Sequence, residues 1–237
     1  MENNNNFKKY FDKKSYTNGE IITIYINDLI NSNKYNSILF IRTPTTGNWL
    51  DYIISENHNI TRLYYNTLNV PFKKNDYCKL YKSSIIVELN NLEKKLKEIN
   101  NTYDLIVIDP YHEYKVSYDN FNLLLSFLKN DGCIVSHDCC PNNVNSSTPR
   151  FTFGSWSGQT YLAFVKFAYN NSELFYTILN IDTGIGIISK TKKDGLKNVL
   201  DKYKQEQLLM IDFLNNYDKA YYYFINNSND IINLIEP

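Results

Sequence analysis

Two unbroken apolar runs, separated by one amphipathic segment, constrain this chain more than any other feature. The first is Leu105-Ile106-Val107-Ile108, closed by Asp109 and Pro110; the second is Cys133-Ile134-Val135-Ser136, closed by His137 and Asp138. A strand with one wet face alternates apolar and polar residues, whereas a strand covered on both faces is apolar throughout. Each run therefore predicts a strand inside a parallel sheet. Between them, residues 116–129 carry Phe121, Leu124, Leu125 and Leu128 on one side of a helical period, and Asn130-Asp131-Gly132 predicts the stop. Strand, helix and parallel strand join as a right-handed crossover. The fold class that follows is α/β, a doubly wound and mainly parallel sheet.

The flanking sequence extends the same alternation. Residues 21–30 have helical apolar spacing, residues 37–41 read as a strand, and a breaker-rich stretch from Arg42 to Gly47 precedes a helix over 48–56. Strands are expected over 60–65 and 79–87, and an amphipathic helix with a charged outer face over 90–99. Beyond the two central runs come a loop at 141–152, a helix over 159–169, and strands over 175–181 and 184–189. The last two are close enough in sequence to pair antiparallel at the edge of the sheet. The tail over 193–236 reads as mostly helical. An Asn-rich terminus, residues 1–15, is expected to fray, leaving 16–237 as one domain.

Composition narrows the partners. Lys+Arg and Asp+Glu balance at 25 each, so no charge excess points to nucleic acid. No apolar stretch is long enough for a membrane span or a secretory signal. Cys78, Cys133, Cys139 and Cys140 have neither metal-binding nor disulfide-framework spacing, which favours reduced thiols in the cytoplasm. Homo-oligomerisation stays compatible with the sequence.

Ligands of open α/β sheets bind beyond the carboxyl ends of the strands. Two such ends here carry Asp109-Pro110-Tyr111-His112 and His137-Asp138-Cys139, with two of the chain's three histidines. Carboxylates and imidazoles at neighbouring strand ends supply general-base chemistry or ligands for a divalent ion. Taken one at a time, the same residues also suit helix and turn capping.

Residues 103–109, His112, Tyr114 and residues 131–138 together resemble class I S-adenosylmethionine-dependent methyltransferases of glycan and natural-product metabolism. Trp156-Ser157-Gly158-Gln159-Thr160-Tyr161, Asp182-Thr183-Gly184-Ile185-Gly186-Ile187-Ile188 and the closing helix resemble the same family. The resemblance implies a Rossmann-like methyltransferase fold and O-methylation of a sugar or another small hydroxylated acceptor. It further implies that His112 or His137 removes the acceptor proton, with Asp138 beside them and Asp109 bordering the cofactor. Trp156 and Asp182 are then expected to touch substrate. Metal-dependent O-methyltransferases place acids at these two strand ends, so Asp109 and Asp138 are candidate Mg2+ ligands, although Cys139 stands where those enzymes have Asn.

The cofactor half departs from the family pattern. Where a glycine-rich turn is usual, the chain has Arg42-Thr43-Pro44-Thr45-Thr46-Gly47, and no acid ends the next strand. Arg42, Thr43, Gly47, Asn66 and Ser83 are the candidate S-adenosylmethionine contacts that remain. A second function fits this departure: a methyltransferase-like domain that has lost its cofactor and binds a protein partner or a glycan. A nucleotide-sugar enzyme on a similar sheet is disfavoured, because the glycines that cradle phosphate are missing.

Overall fold

The computed structural model of the chain describes residues 18–42, 59–66, 85–88, 91–198 and 201–235. The terminus over 1–15, the helix expected over 48–56 and the first part of the strand expected over 79–87 lie outside those residues. So do Thr43, Gly47 and Ser83.

Among the described residues, nine strands form one sheet. They are β1 (Ser37–Arg42), β2 (Asn59–Asn66), β3 (Ile85–Glu88), β4 (Tyr103–Ile108), β5 (Leu128–Ser136), β6 (Phe175–Leu179), β7 (Ile185–Ser189), β8 (Lys197–Asn198) and β9 (Leu234–Ile235). Their order is β3-β2-β1-β4-β5-β7-β6-β8, with β9 beside β6. The strands from β3 through β5 are parallel. β7 runs antiparallel to both β5 and β6, standing between them. The chain builds outward from β1 to β3, then returns to lay β4 against the other side of β1. In folds of this kind such a reversal, here between β1 and β4, marks where ligands bind, beyond the carboxyl ends of the strands.

Strand periodicity divides the core into two layers. Leu39, Ile41, Ile106, Ile108 and Ile134 face one side and pack with Leu96 of α2 (Leu92–Ile99), Phe121 of α3 (Tyr114–Leu125) and Phe164 of α4 (Thr160–Asn170). Met210 of α5 (Asp201–Asp212) and Phe224 of α6 (Tyr217–Ile231) complete that layer. Ile38, Phe40, Leu105, Val107, Cys133 and Val135 face the other side, against Ile22, Ile26 and Ile30 of α1 (Asn18–Asn33). Both faces of the central strands are covered, which is why their sequences show no polar alternation.

One expected boundary moves. The helix read over 116–129 ends at Leu125, and β5 begins at Leu128. Backbone bonds Ser126 N to Leu123 O (3.2 Å) and Phe127 N to Leu124 O (3.0 Å) tighten the last turn. Tyr103 N then donates to Phe127 O at 2.9 Å and draws the chain into the sheet. Tyr103 pairs with Leu128 but Leu105 pairs with Cys133, so residues 129–132 bulge outward between the two registers. No helix among the described residues is long and apolar enough to cross a membrane.

Candidate functional site

Hydrogen bonds that continue the sheet position the first two segments of the site. Asp109 N donates to Ile41 O at 3.1 Å, and His137 N donates to Ile108 O at 3.0 Å. The residue after β4 and the residue after β5 are therefore held as rigidly as the strands themselves. A third segment, the turn between β6 and β7, docks onto the end of β5 through Cys139 N to Gly184 O (3.1 Å) and Cys140 N to Thr183 O (2.7 Å). Gly184 has φ +89°, and a Cβ there would lie 2.2 Å from Cys140 N, so only glycine permits this approach. A fourth segment, before α4, closes on His112: Gln159 N donates to His112 O at 2.7 Å. Gly158, at φ +55°, would put a Cβ 2.1 Å from that same carbonyl oxygen.

These four segments bring five titratable side chains together. His112 Nε2 lies 3.1 Å from Asp109 Oδ1 and 3.0 Å from Asp138 Oδ2, while its Nδ1 donates to Trp156 O at 2.5 Å. His137 Nδ1 lies 2.9 Å from Asp138 Oδ2, and its Nε2 lies 3.1 Å from Asp182 Oδ2 and 3.3 Å from Thr183 Oγ1. Asp109, His112 and Asp138 are buried, whereas the Asp182 side chain is 28% exposed and forms the open side of the group. Asp138 and Asp182 hold left-handed backbones, φ 60° and 58°, which non-glycine residues adopt at a cost of about 1–2 kcal/mol each. Backbone strain of this kind collects at functional sites, where surrounding structure enforces it.

The protonation states follow from these partners. Burial by itself would lower the pKa of His112, but the Asp138 and Asp109 carboxylates outweigh it and raise it to about 10. His137 is raised in the same way, by Asp138, Asp182 and Asp109 acting against burial. Burial would raise Asp138, and the two imidazoles overcome that and hold it well below the ordinary carboxylate range. A neutral imidazole has one N–H to donate, yet both nitrogens of each ring face acceptor oxygens. In the ligand-free arrangement both rings are imidazolium cations, knitted into three carboxylates.

Mg2+ does not fit this donor set. Asp109, His137 and Asp138 each offer a ligand atom within 4.8 Å of the others, but one of the three is nitrogen. Mg2+ demands near-octahedral oxygen coordination, and the carboxylate oxygens here already bond cationic rings. Burial raises the pKa of the Cys139 thiol, and its sulfur contacts the Ser136 and His137 carbonyls, so it does not take the place of the missing Asn.

The other expected contacts divide. Arg42 ends β1, is buried, and lies in the strand next to Asp109. Asn66 ends β2 opposite Glu88 of β3; its side chain is outside the described set. Asp182, expected at substrate, lies at the open side of the cluster with its Oδ2 3.1 Å from His137 Nε2. Trp156 is only 5% exposed. Its indole N–H donates to Thr148 O at 2.9 Å, and its ring leans on His112 with centroids 5.0 Å apart, so it braces the site rather than forming an open wall. Thr183 was not anticipated from the sequence. Its signal was present in the Asp182-Thr183-Gly184 turn, but which side chain that turn serves depends on contacts 45 residues apart.

A family model described as a methyltransferase domain matches residues 23–139, which contain β1 through β5 and four of the five clustered residues. Over that stretch, just under half of the chain, the sequence is similar to the methyltransferase-domain family. The methyltransferase fold also appears among solved structures. A protein assigned as a caffeoyl-CoA O-methyltransferase from Staphylococcus aureus superposes with a TM-score of 0.51 at 21% identity, covering 72% of this chain and 83% of that one. Podospora anserina methyltransferase PaMTH1, bound to SAH, gives 0.49 at 14% identity over 81% of this chain and 90% of that one. An O-methyltransferase from Bacillus cereus in complex with SAH gives 0.47 at 12% identity over 71% and 80%. No curated protein matches the sequence.

Proposed function

We propose that this chain transfers the methyl group of S-adenosylmethionine to a hydroxyl oxygen of a small acceptor, a sugar or a similar hydroxylated compound. The observation that carries the reading is the convergence of Asp109, His112, His137, Asp138 and Asp182 on one rim of the sheet. Such a group has no structural necessity: burying several charges costs free energy that an apolar cluster would not incur.

The cofactor supplies an electrophilic sulfonium methyl carbon beside the attacking hydroxyl. Arg42, a cation at the carboxyl end of β1, fits the cofactor's carboxylate, and Asp109 follows the neighbouring strand β4. Proton removal falls to His137. Its Nε2 lies on the open side of the group, shared between Asp182 and Thr183, where an acceptor hydroxyl can displace either contact. Asp138 holds the opposite ring nitrogen and stabilises the charge that results. His112 is fixed between Trp156 O and two carboxylates and contributes positive potential rather than proton transfer. Buried thiols at Cys133, Cys139 and Cys140 accord with a reducing compartment such as the cytoplasm.

Calorimetric titration with S-adenosylmethionine and with S-adenosylhomocysteine tests the reading. Saturable binding of both is expected. Absence of heat and of thermal protection with either ligand would replace the enzyme by a partner-binding domain.

A further inference from the structure

A ring nitrogen bridges the carboxylates of Asp109 and Asp138. His112 Nε2 lies 3.1 Å from Asp109 Oδ1 and 3.0 Å from Asp138 Oδ2. The ring is fixed from its other side as well. Its Nδ1 donates to Trp156 O at 2.5 Å, and the His112 carbonyl accepts from Gln159 N at 2.7 Å. The Trp156 indole leans on the imidazole with centroids 5.0 Å apart, donates to Thr148 O at 2.9 Å, and meets Tyr111 edge-on at 5.2 Å. His112 and Trp156 are both buried, so the pair is enclosed. With Nδ1–H given to a carbonyl, Nε2 attracts two carboxylate oxygens only if it too carries a proton; a bare lone pair would face them as a third acceptor. The adjoining indole favours the same charge, because cations are drawn to tryptophan rings.

Metal-dependent O-methyltransferases, which these strand ends resemble, set a divalent ion against acids at the same two positions. We propose that in this chain the imidazolium of His112 takes that ion's place, as a resident cation between Asp109 and Asp138, so that the proposed O-methyl transfer needs no metal. The inference rests on that reading and adds how its charges are balanced. Two separate departures from a metal site point the same way. Asp109, His137 and Asp138 bring ligand atoms within 4.8 Å of one another, but an ion drawn to the two carboxylates would meet the Nε2–H of His112. That ring is held by Trp156 O and by the closure of Gln159 on its backbone. The second departure is Cys139, which stands where those enzymes carry an Asn oxygen. Its Sγ contacts the carbonyls of Ser136 and His137 at 3.7 and 3.6 Å, and sulfur is a poor ligand for Mg2+. Two carboxylates buried side by side require a compensating charge. An ion supplies it reversibly, from solution; a ring fixed to the backbone supplies it as part of the fold. Gly158 completes the lock, since a Cβ there would lie 2.1 Å from His112 O and push the loop off the ring.

The full chain, dialysed against EDTA, is titrated calorimetrically with Mg2+, Mn2+ and Zn2+. No saturable binding at the cluster is expected, and S-adenosylhomocysteine should bind equally well in EDTA and in Mg2+. Saturable binding of any of these ions that is lost in Asp138→Asn, or a tighter S-adenosylhomocysteine complex in Mg2+, would overturn the proposal. His112→Asn removes the resident charge and leaves an amide oxygen nearby. This variant is expected to take up Mn2+, read as loss of the free-ion EPR signal, where the parent leaves that signal intact. A folded His112→Asn protein that also leaves Mn2+ free would overturn the proposal too. Imidazole nitrogen-15 spectra of the parent at neutral pH need no variant to fold. Among the chain's three histidines, the ring in Overhauser contact with the Trp156 indole should have both nitrogens protonated, and one bare nitrogen there would exclude a cation. S-adenosylhomocysteine separates the two readings. If the parent fails to bind it with or without metal, the methyl-transfer reading falls and this inference with it; if it binds while Mg2+ or Mn2+ also occupies the cluster, the resident cation alone is lost.

Discussion

At the residue scale, the site is governed by who shares a proton with whom. The raised pKa of His112 and His137 means that the folded state binds protons the unfolded chain would release. Their stabilisation is fully present below about pH 6.5, the unperturbed value, and for His112 is lost as pH climbs toward about 10. Asp138, lowered on folding, has the opposite sign: its contribution is present above about pH 3.8 and lost as pH falls. Urea unfolding should therefore show greatest stability between about pH 4 and 6.5 and a steady decline above it. The His112→Gln variant should flatten that decline in part, since His137 remains. Catalysis should run the other way. A protonated His137 accepts nothing, so kcat/KM should rise with pH above neutrality, and Asp182→Asn, which removes one carboxylate from Nε2, should move the rise to lower pH. An unmoved pH profile in that variant would remove Asp182 from the control of His137.

At the scale of elements, the junction of α3 and β5 shows a local pattern overruled by a distant partner. Leu128 stands four residues after Leu124 and three after Leu125, the spacing of a helical face, which by itself predicts a helix continuing to Lys129. Its neighbour in space is Tyr103, whose pairing turns Leu128 into the first residue of a strand. Truncating this buried side chain by Leu128→Ala should cost about 2–5 kcal/mol in denaturant unfolding. Asn130→Ala, in the exposed bulge, should stay within about 0.5 kcal/mol. The segment before α4 carries a second test. Gly158→Ala adds a Cβ 2.1 Å from His112 O at a left-handed backbone, so it should destabilise the fold by about 2–4 kcal/mol, visible as a depressed Tm.

At the scale of the molecule, four chain segments meet at one rim because β4, β5 and the antiparallel β7 are neighbours in the sheet, which brings the ends of β4 and β5 and the start of β7 to one edge. A ligand that binds only this assembled rim stabilises the whole fold. With S-adenosylhomocysteine at a hundred times its Kd, unfolding should require about 2.7 kcal/mol more, and for a chain of this size each kcal/mol raises Tm by about 2–4 °C. Phe153→Ala should leave both the ligand-free Tm and this shift unchanged, since its ring is 98% exposed. A fall in the ligand-free Tm would give that ring a structural role instead.

The sequence by itself determined the buried parallel strands, because a strand covered on both faces cannot alternate, and it placed Asp109 and His137-Asp138 at their ends by simple adjacency. Those inferences need only local pattern. Tertiary structure decided the rest. The placing of β7 between β5 and β6 depends on strand order, and the end of α3 depends on Tyr103. The use of Asp182 by His137 depends on a turn docking across 45 residues, and the character of both histidines as cations depends on every ring nitrogen meeting an acceptor. Sequence spacing carries direction along one element. Proton sharing is set by distances of about 3 Å between elements, which no local period encodes.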